Sequence, residues 1–293
     1  MADGTLEKRR PRVGVVMGSG GTKALAGVAL FEFLDSIGVT PDLLVGCSGG
    51  GIMCALRGCD YSTADMRKMF AEFLDKRLFD IDYRALLAIG RLPFGHFDVS
   101  RGIIKPKKIQ AMYRKVFGER RLEDLKIPTV LQTTDLLKSE AVVLSSGLVA
   151  DAVYASGAEY PFFPLICIDG RWLADGEFTS SLPILEAVKR QMDVIIAIRI
   201  QTELQTYPRG FNECFGLMFN NIGKISARLE TPLAISLHHH EIINITVRFN
   251  KSIHPWDVNA LPTILNAGEE AVAQMKQEII YAIENFTSHA DAD

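Results

Sequence analysis

The chain has 293 residues, 48% of them hydrophobic and 23% charged, with 32 Lys and Arg against 35 Asp and Glu for a net charge of -3. That length can hold one large core, and the composition excludes a disordered, collagen-like or coiled-coil chain. The balanced charge also speaks against a dedicated nucleic-acid binder, which carries a basic footprint, so no nucleic-acid partner is expected.

Residues 1–12 are polar and basic (Lys8, Arg9, Arg10, Arg12), and no apolar stretch of a secretory signal follows them. They read as an N-terminal tail ahead of one domain over residues 13–286, with 287–293 as a C-terminal tail. Val13 to Met17 is a short apolar run that ends in the cluster Gly18-Ser19-Gly20-Gly21. Leu25, Val28, Ala29, Phe31 and Leu34 then recur at helical spacing, until Gly38 and Pro41 stop them. Leu43-Leu44-Val45 predicts a second strand, followed at once by Gly46-Cys47-Ser48-Gly49-Gly50 and an apolar helix through Leu56. Strand, tight turn and helix, twice over, open a parallel α/β sheet. The longest charge-free run, Leu43 to Leu56, has 14 residues and four glycines. A span needs roughly 18–20, so no transmembrane helix is expected.

From Ser62 to Phe117 the pattern is mainly helical, broken at Pro93, Gly95 and Gly102. Val130 to Thr134 and Ala141 to Leu144 read as strands, and Cys167 to Leu173 as a hairpin turning at Asp169-Gly170. A helix over Leu182 to Arg190 precedes Val194 to Ile198, apolar throughout as a central parallel strand should be. Ile242 to Phe249 alternates as a further strand, and Leu261 to Phe286 closes the chain as an amphipathic helix. The expected fold is α/β, a single domain with a mainly parallel central sheet flanked by helices.

Two glycine-rich turns carry the chemistry. In Gly46-Cys47-Ser48-Gly49-Gly50, glycines let the chain make a strained strand-to-helix turn with Ser48 at its tip, where a helix N-terminus adds positive potential. Ser48 is then a candidate nucleophile, or simply a helix cap. Cys47 is an alternative nucleophile without a visible activating group. The second turn, Gly18-Ser19-Gly20-Gly21-Thr22-Lys23, fails both nucleotide fingerprints. Lys23 stands where a dinucleotide loop needs a third glycine, and Thr22 separates Gly21 from the lysine of a Walker loop. What remains is a row of backbone N–H groups suited to an oxyanion, or a turn that merely permits close packing.

A serine nucleophile needs a base. None of the six histidines, His96, His238, His239, His240, His254 and His289, sits in a telling motif. Adjacent imidazoles in His238-His239-His240-Glu241 do not share a face, so they do not make a metal site. The five cysteines contain no C-x-x-C pair, which suits free thiols in a reducing compartment. No metal or cofactor is expected, and the location implied is cytoplasmic, with peripheral contact at membranes allowed. A carboxylate is the other candidate base: Asp175-Gly176 follows the strand-like Arg171 to Ala174.

These blocks in order, Gly18 to Lys23, Gly46 to Gly50 and Asp175-Gly176, resemble the signatures of the patatin-like phospholipase family. Ala155-Ser156-Gly157-Ala158-Glu159-Tyr160-Pro161-Phe162-Phe163-Pro164 and Leu182-Pro183-Ile184 are similar to its bacterial members. The resemblance runs from about Val13 to about Ile198. It implies a patatin-like three-layer α/β/α fold and a Ser48–Asp175 dyad with no essential histidine. It also implies an oxyanion hole at Gly20, Gly21 and Thr22, supported by Gly18, Ser19 and Lys23, with Gly46, Cys47, Gly49 and Gly50 forming the nucleophile elbow. The implied activity is hydrolysis of phospholipid or lysophospholipid acyl esters through an acyl-serine. The alternatives are a carboxylesterase for small soluble esters or a non-catalytic lipid-binding protein of the same fold. Glu177 departs from the pattern, where a small residue is expected; pointing inward, it would raise the pKa of Asp175. The apolar stretches Leu78 to Phe97 and Tyr160 to Leu165 are candidates for an acyl site or a mobile cover, or ordinary core. Lys105, Lys107 and Lys108 could meet anionic headgroups or simply open a solvated helix.

Overall fold

Short runs of Val, Ile and Leu form strands where both faces of a sheet are covered, because branched side chains pack well on a pleated surface. The computed structural model describes residues 9–73, 75–203, 209–238, 241–250, 253 and 257–286, so the first eight residues of the expected tail 1–12 and the whole of the expected tail 287–293, with His239, His240, His254 and His289, lie outside the described residues. The strands are β1 (Val13–Met17), β2 (Leu43–Cys47), β3 (Thr129–Asp135), β4 (Glu140–Leu144), β5 (Ile166–Ile168), β6 (Arg171–Asp175), β7 (Val194–Thr202) and β8 (Ile242–Phe249). The helices are α1 (Val28–Ser36), α2 (Gly49–Gly58), α3 (Thr63–Glu72), α4 (Tyr83–Ile89), α5 (Lys107–Phe117), α6 (Val149–Ser156), α7 (Ile184–Lys189), α8 (Gly210–Leu237) and α9 (Leu261–Glu284).

One sheet holds all eight strands in the order β5-β6-β3-β2-β1-β7-β8, with β4 also paired to β3. The neighbours β3, β2, β1, β7 and β8 run parallel; β4, β5 and β6 join antiparallel. Alternate residues of a strand face opposite sides, and the core divides accordingly. Val13, Val15 and Met17 of β1 and Ile196 of β7 pack with Phe31 of α1, Met53 of α2 and Ile264 of α9. Val16, Val45, Ile195 and Ala197 turn the other way, toward Ala187 of α7 and Ala227 and Ala234 of α8. The fold is therefore a three-layer α/β/α domain. The expected hairpin turns at Asp169 (φ 49°) and Gly170 (φ 76°), the paired left-handed conformation of a two-residue hairpin loop.

Two features differ from the sequence expectation. The helix after β1 opens as a 3-10 helix over Gly21–Gly27 before α1 begins. The 28-residue α8 lies in a stretch to which the sequence reading assigns no element; it carries Gly216, Gly223 and Pro232, which are poor helix formers. No described helix is long and apolar enough to cross a membrane.

The ends that carry the turns are fixed from below. Asp193 accepts from the Arg12 N–H at 2.7 Å and from the Arg9 guanidinium at 2.6 Å. Asp42 likewise accepts from the Val13 N–H at 2.8 Å and from Arg10 at 2.6 Å. These clamp the start of β1 between the starts of β2 and β7. Ile196, fully buried in β7, contacts packed neighbours throughout its length. Its replacement by alanine is expected to cost about 2–5 kcal/mol, read as a lower urea midpoint at unchanged slope.

Candidate active site

A strand has two hydrogen-bonding edges, and that constraint builds the site. On β3, Leu131 and Gln132 pair with Leu144 and Val143 of β4 on one edge and with Gly46 and Cys47 of β2 on the other. One residue on, Thr133 pairs with Val142 of β4 and with Asp175 of β6. β4 keeps its edge, so β2 and β6 share the opposite one. They run toward each other and stop at neighbouring residues of β3. Ser48, one residue past β2, thus meets Asp175, the last residue of β6: the Ser48 hydroxyl donates to Asp175 Oδ2 at 2.8 Å.

Ser48 has φ 53° and ψ -124° and stands directly before α2. Such a left-handed conformation is strained for a side-chain-bearing residue and persists only where surroundings hold it. Two restraints do so. The Ser48 N–H donates to Ser156 Oγ at 3.0 Å, and that hydroxyl donates to the Gln132 carbonyl at 2.7 Å. The glycines after Ser48 allow the second restraint: a Cβ on Gly49 would overlap the backbone of Gly21, and one on Gly50 the carbonyls of Met17 and Gly18. The two glycine-rich turns therefore touch, backbone to backbone.

In the first turn, the Gly18 N–H donates to Ile198 O at 3.0 Å and the Ser19 N–H to Ser181 O at 2.8 Å. Lys23 N–H donates to Gly20 O at 3.1 Å, the first bond of the 3-10 helix. The N–H groups of Gly20, Gly21 and Thr22 come ahead of that bond and have no acceptor within the helix. Gly21, at φ 54° and exposed, has open space where a side chain would stand. Lys23 donates to Thr202 Oγ1 at 2.5 Å, and burial lowers its ammonium to about 8, against the opposing pull of Glu177.

Asp175 is fully enclosed. Burial pushes its carboxyl up to about 7, partly offset by the Glu177 N–H, which donates to Oδ1 at 2.8 Å, and by the Ser48 hydroxyl. Glu177 does point inward, onto Gly223 of α8, where a Cβ would collide with its carboxyl. The inward position also acts on Glu177 itself. Burial first, and the charge of Asp175 second, push Glu177 itself well above the ordinary carboxylate range, relieved in part by the Ser19 hydroxyl. Burial is the largest cause of the rise at Asp175. Nearby, burial raises the partly exposed Glu159 to about 7, with Asp175 adding to the effect.

Cys47 is buried beneath the turn and its thiol is pushed well up by burial and by the charges of Asp175 and Glu177. A nucleophilic thiolate there is disfavoured, which removes that alternative. His96 pairs with Asp98 at 2.8 Å and His238 approaches the carbonyl of Asp193; neither contact involves Ser48. Among the described residues, no three His, Cys, Asp or Glu side chains are placed to hold a metal ion. Ser156, named from the sequence only within the block similar to the family's bacterial members, is given no role there. Its local signal is a hydroxyl at the end of the mainly apolar helix α6.

The apolar stretches divide. Phe79 and Phe97 pack on Phe163 and Tyr160 at 6.2 and 6.0 Å between ring centroids. Phe178, beside Glu177, begins an aromatic row through Phe219, Phe215 and Phe162, with centroid separations of 5.1, 6.2 and 4.8 Å. An enclosed carboxylate bonded to a hydroxyl at a helix N-terminus, with free N–H groups across a backbone contact, has the parts for proton abstraction and oxyanion stabilisation.

Residues 15–188 match the family described as Patatin-like phospholipase, more than half of the chain, and the chain belongs to that family. Among curated relatives, it is 27% identical over 218 residues to a lysophospholipase nte1 of Emericella nidulans, covering 72% of this chain and 13% of that protein. It is 25% identical over 229 residues to the lysophospholipase NTE1 of Phaeosphaeria nodorum, covering 75% and 14%. The chain thus spans about one-seventh of the length of these relatives. Among solved structures, VipD from Legionella pneumophila aligns with a TM-score of 0.56 at 13% identity, over 92% of this chain and 68% of that one; the likeness is one of fold.

Two stability effects follow. Ser156→Ala leaves the Ser48 N–H without its acceptor and is expected to cost about 1–3 kcal/mol in denaturant unfolding. Glu159 binds a proton more tightly folded than unfolded, so its contribution is full below the ordinary carboxylate pKa and is lost as pH rises through about 7. Glu159→Gln should therefore raise Tm by a few degrees near pH 8 and leave it unchanged near pH 4, as measured by calorimetry.

Proposed function

We propose that the chain is a serine lipid acyl hydrolase that cleaves fatty-acyl ester bonds of phospholipids or lysophospholipids. The observation that carries this reading is the 2.8 Å hydrogen bond from the strained Ser48 hydroxyl to the buried Asp175. Ser48 attacks the ester carbonyl as its proton passes to Asp175 Oδ2. The carbonyl oxygen becomes an oxyanion held by the N–H groups of Gly20, Gly21 and Thr22, with the dipole of α2 adding positive potential. Asp175 then gives its proton to the departing alcohol, leaving an acyl-serine. In the second half, Asp175 takes a proton from water, the hydroxide attacks the acyl carbon, and Ser48 recovers its proton as the fatty acid leaves.

An ordinary carboxylate is a poor base at neutral pH. Burial that raises Asp175 to about 7 brings its basicity close to what proton abstraction near neutrality favours. Gly18 and Ser19 anchor the oxyanion turn, and Lys23 adds charge beneath it. Gly46, Gly49 and Gly50 let the two turns approach, and Cys47 fills the space under Ser48. The aromatic row from Phe178 to Phe162 offers an apolar wall for an acyl chain. The names of the curated relatives favour lysophospholipid among the substrates.

The reading is tested by fluorophosphonate labelling and by fatty-acid release from lysophosphatidylcholine. Ser48→Ala should abolish both, and Asp175→Asn should lower kcat/KM by a factor of about 10³ or more. His96→Ala and His238→Ala should retain activity. An unlabelled wild-type Ser48 would overturn the hydrolase reading, whereas labelling with turnover of short soluble esters alone would move the substrate to small esters. Because Asp175 must be ionised to accept the proton, kcat/KM should rise with pH through about 7 rather than level off near 4. A pH–rate profile on a soluble ester reads this directly.

A further inference from the structure

Beside the site stands a small unit, α4 and the turn after it, whose exposed face has no covering element among the described residues. Phe94 is 90% exposed and Tyr83 70%, with Ile89 and Leu92 also exposed. Backbone bonds hold this arrangement. Gly90 N–H donates to Leu86 O, Arg91 N–H to Ala88 O, Leu92 N–H to Leu87 O at 2.8 Å, and His96 N–H to Arg84 O. Gly95 lies so close to Ala88 that a Cβ there would overlap its backbone. The turn is thus folded tightly onto α4 while its largest apolar side chain stands in water. Burying that side chain would be favourable, and the unit itself leaves it in water.

The charge around this face is opposite to that of the rest of the chain. Between Lys76 and Lys108 there are eight Lys and Arg against three Asp, a net of +5; the chain as a whole carries -3, so the remainder carries -8. The three acids are engaged within the unit. Asp82 pairs with Arg101, Asp98 with His96, and Asp80 lies 3.8 Å from both Lys105 and Lys108. Arg84 and Arg91, both exposed, flank the apolar side chains and have no acidic partner among the described residues.

The unit is also attached to the wall of the active site. Ile103 N–H donates to Pro161 O at 3.0 Å and Ile104 N–H to Phe162 O at 2.8 Å, and the Phe79 and Phe97 rings pack on Phe163 and Tyr160. The same 158–162 stretch reaches Asp175, whose N–H donates to Ala158 O at 2.9 Å.

We propose that this face docks on an anionic lipid bilayer, with Tyr83, Ile89, Leu92 and Phe94 entering the interface and Arg84 and Arg91 meeting acidic headgroups. Large exposed apolar side chains on a helix and its following turn, with the exposed Arg84 and Arg91 among them, match a surface that is apolar within and negative outside. The proposal deepens the acyl-hydrolase reading and rests on it for its purpose: it names a bilayer as the source from which lipid reaches Ser48. A net negative chain gains no bulk attraction to such a membrane, so orientation comes from the local +5 region, which turns the site toward the lipid.

The test uses the full chain carrying Ser48→Ala, so that binding is read apart from turnover. Co-sedimentation with phosphatidylcholine vesicles, with and without phosphatidylglycerol, should show binding to the anionic vesicles that weakens with salt. Phe94→Asp should weaken it at least about tenfold, and Arg84→Ala or Arg91→Ala about fivefold each. Leu229→Asp, on the exposed side of α8, should bind as the parent does. Equal binding by Phe94→Asp, no preference for anionic vesicles, or loss of binding in Leu229→Asp alone would overturn the proposal. So would a dimer in light scattering that Phe94→Asp dissolves while vesicles go unbound. Vesicle binding by a wild-type chain that lacks esterase activity would instead defeat the hydrolase reading and leave the docking surface standing.

Discussion

The structure around Ser48 depends on one constraint: β2 and β6 occupy the same edge of β3 and end against each other. Each strand end would otherwise be an ordinary site of chain reversal. Because the β4 pairing uses the other edge of β3, β2 along Thr129 to Gln132 and β6 along Thr133 to Asp135 must follow one another on the edge that remains. Cys47 opposite Gln132 and Asp175 opposite Thr133 set the separation of the next side chains by strand geometry. A hydroxyl and a carboxylate from residues 127 positions apart are brought within a hydrogen bond without relying on a long flexible side chain.

The rest of the site solves the problems that this meeting creates. A turn that points Ser48 at the strand end forces it to positive φ, and Ser156 and the Gly49–Gly21 contact hold it there. A carboxylate at the junction of two strands is taken out of water, which is unfavourable for a charge; Asp175 responds by binding its proton more tightly and by accepting two hydrogen bonds. Glu177 adds a second buried carboxyl, tied to Ser19 and seated on Gly223. That seat couples the Gly18–Lys23 turn to α8 and accounts for a glycine in the middle of a long helix, where its propensity is poor.

Much of this was legible in the residues. The buried strands announce themselves through runs such as Val194 to Ile198, and the turns through Gly38 and Asp169-Gly170, because burial on both faces and positive φ each demand particular residue types. Spacing also ruled out nucleotide loops at Gly18 to Lys23. The stretch of α8 is assigned no element from sequence because Gly216, Gly223 and Pro232 lower its helical propensity, and Gly223 serves the seat of Glu177 rather than the helix itself. The bridging place of Ser156 escaped for a similar reason: a hydroxyl at a helix end has many uses, and only its partners from β2 and β3 select one. For Glu177, sequence posed the question of direction, and packing against Gly223 answered it.

By itself the sequence determined the local pieces: which segments extend, where two strained glycine turns fall, and which serine and which carboxylate stand at strand ends. Those properties come from backbone sterics and side-chain polarity within a few residues. Only the tertiary structure decided which strand end faces which, that Ser48 and Asp175 share an edge of β3, and how far burial raises the carboxyls around them. Proximity and desolvation are produced by chain segments remote in sequence, so no local pattern can set them.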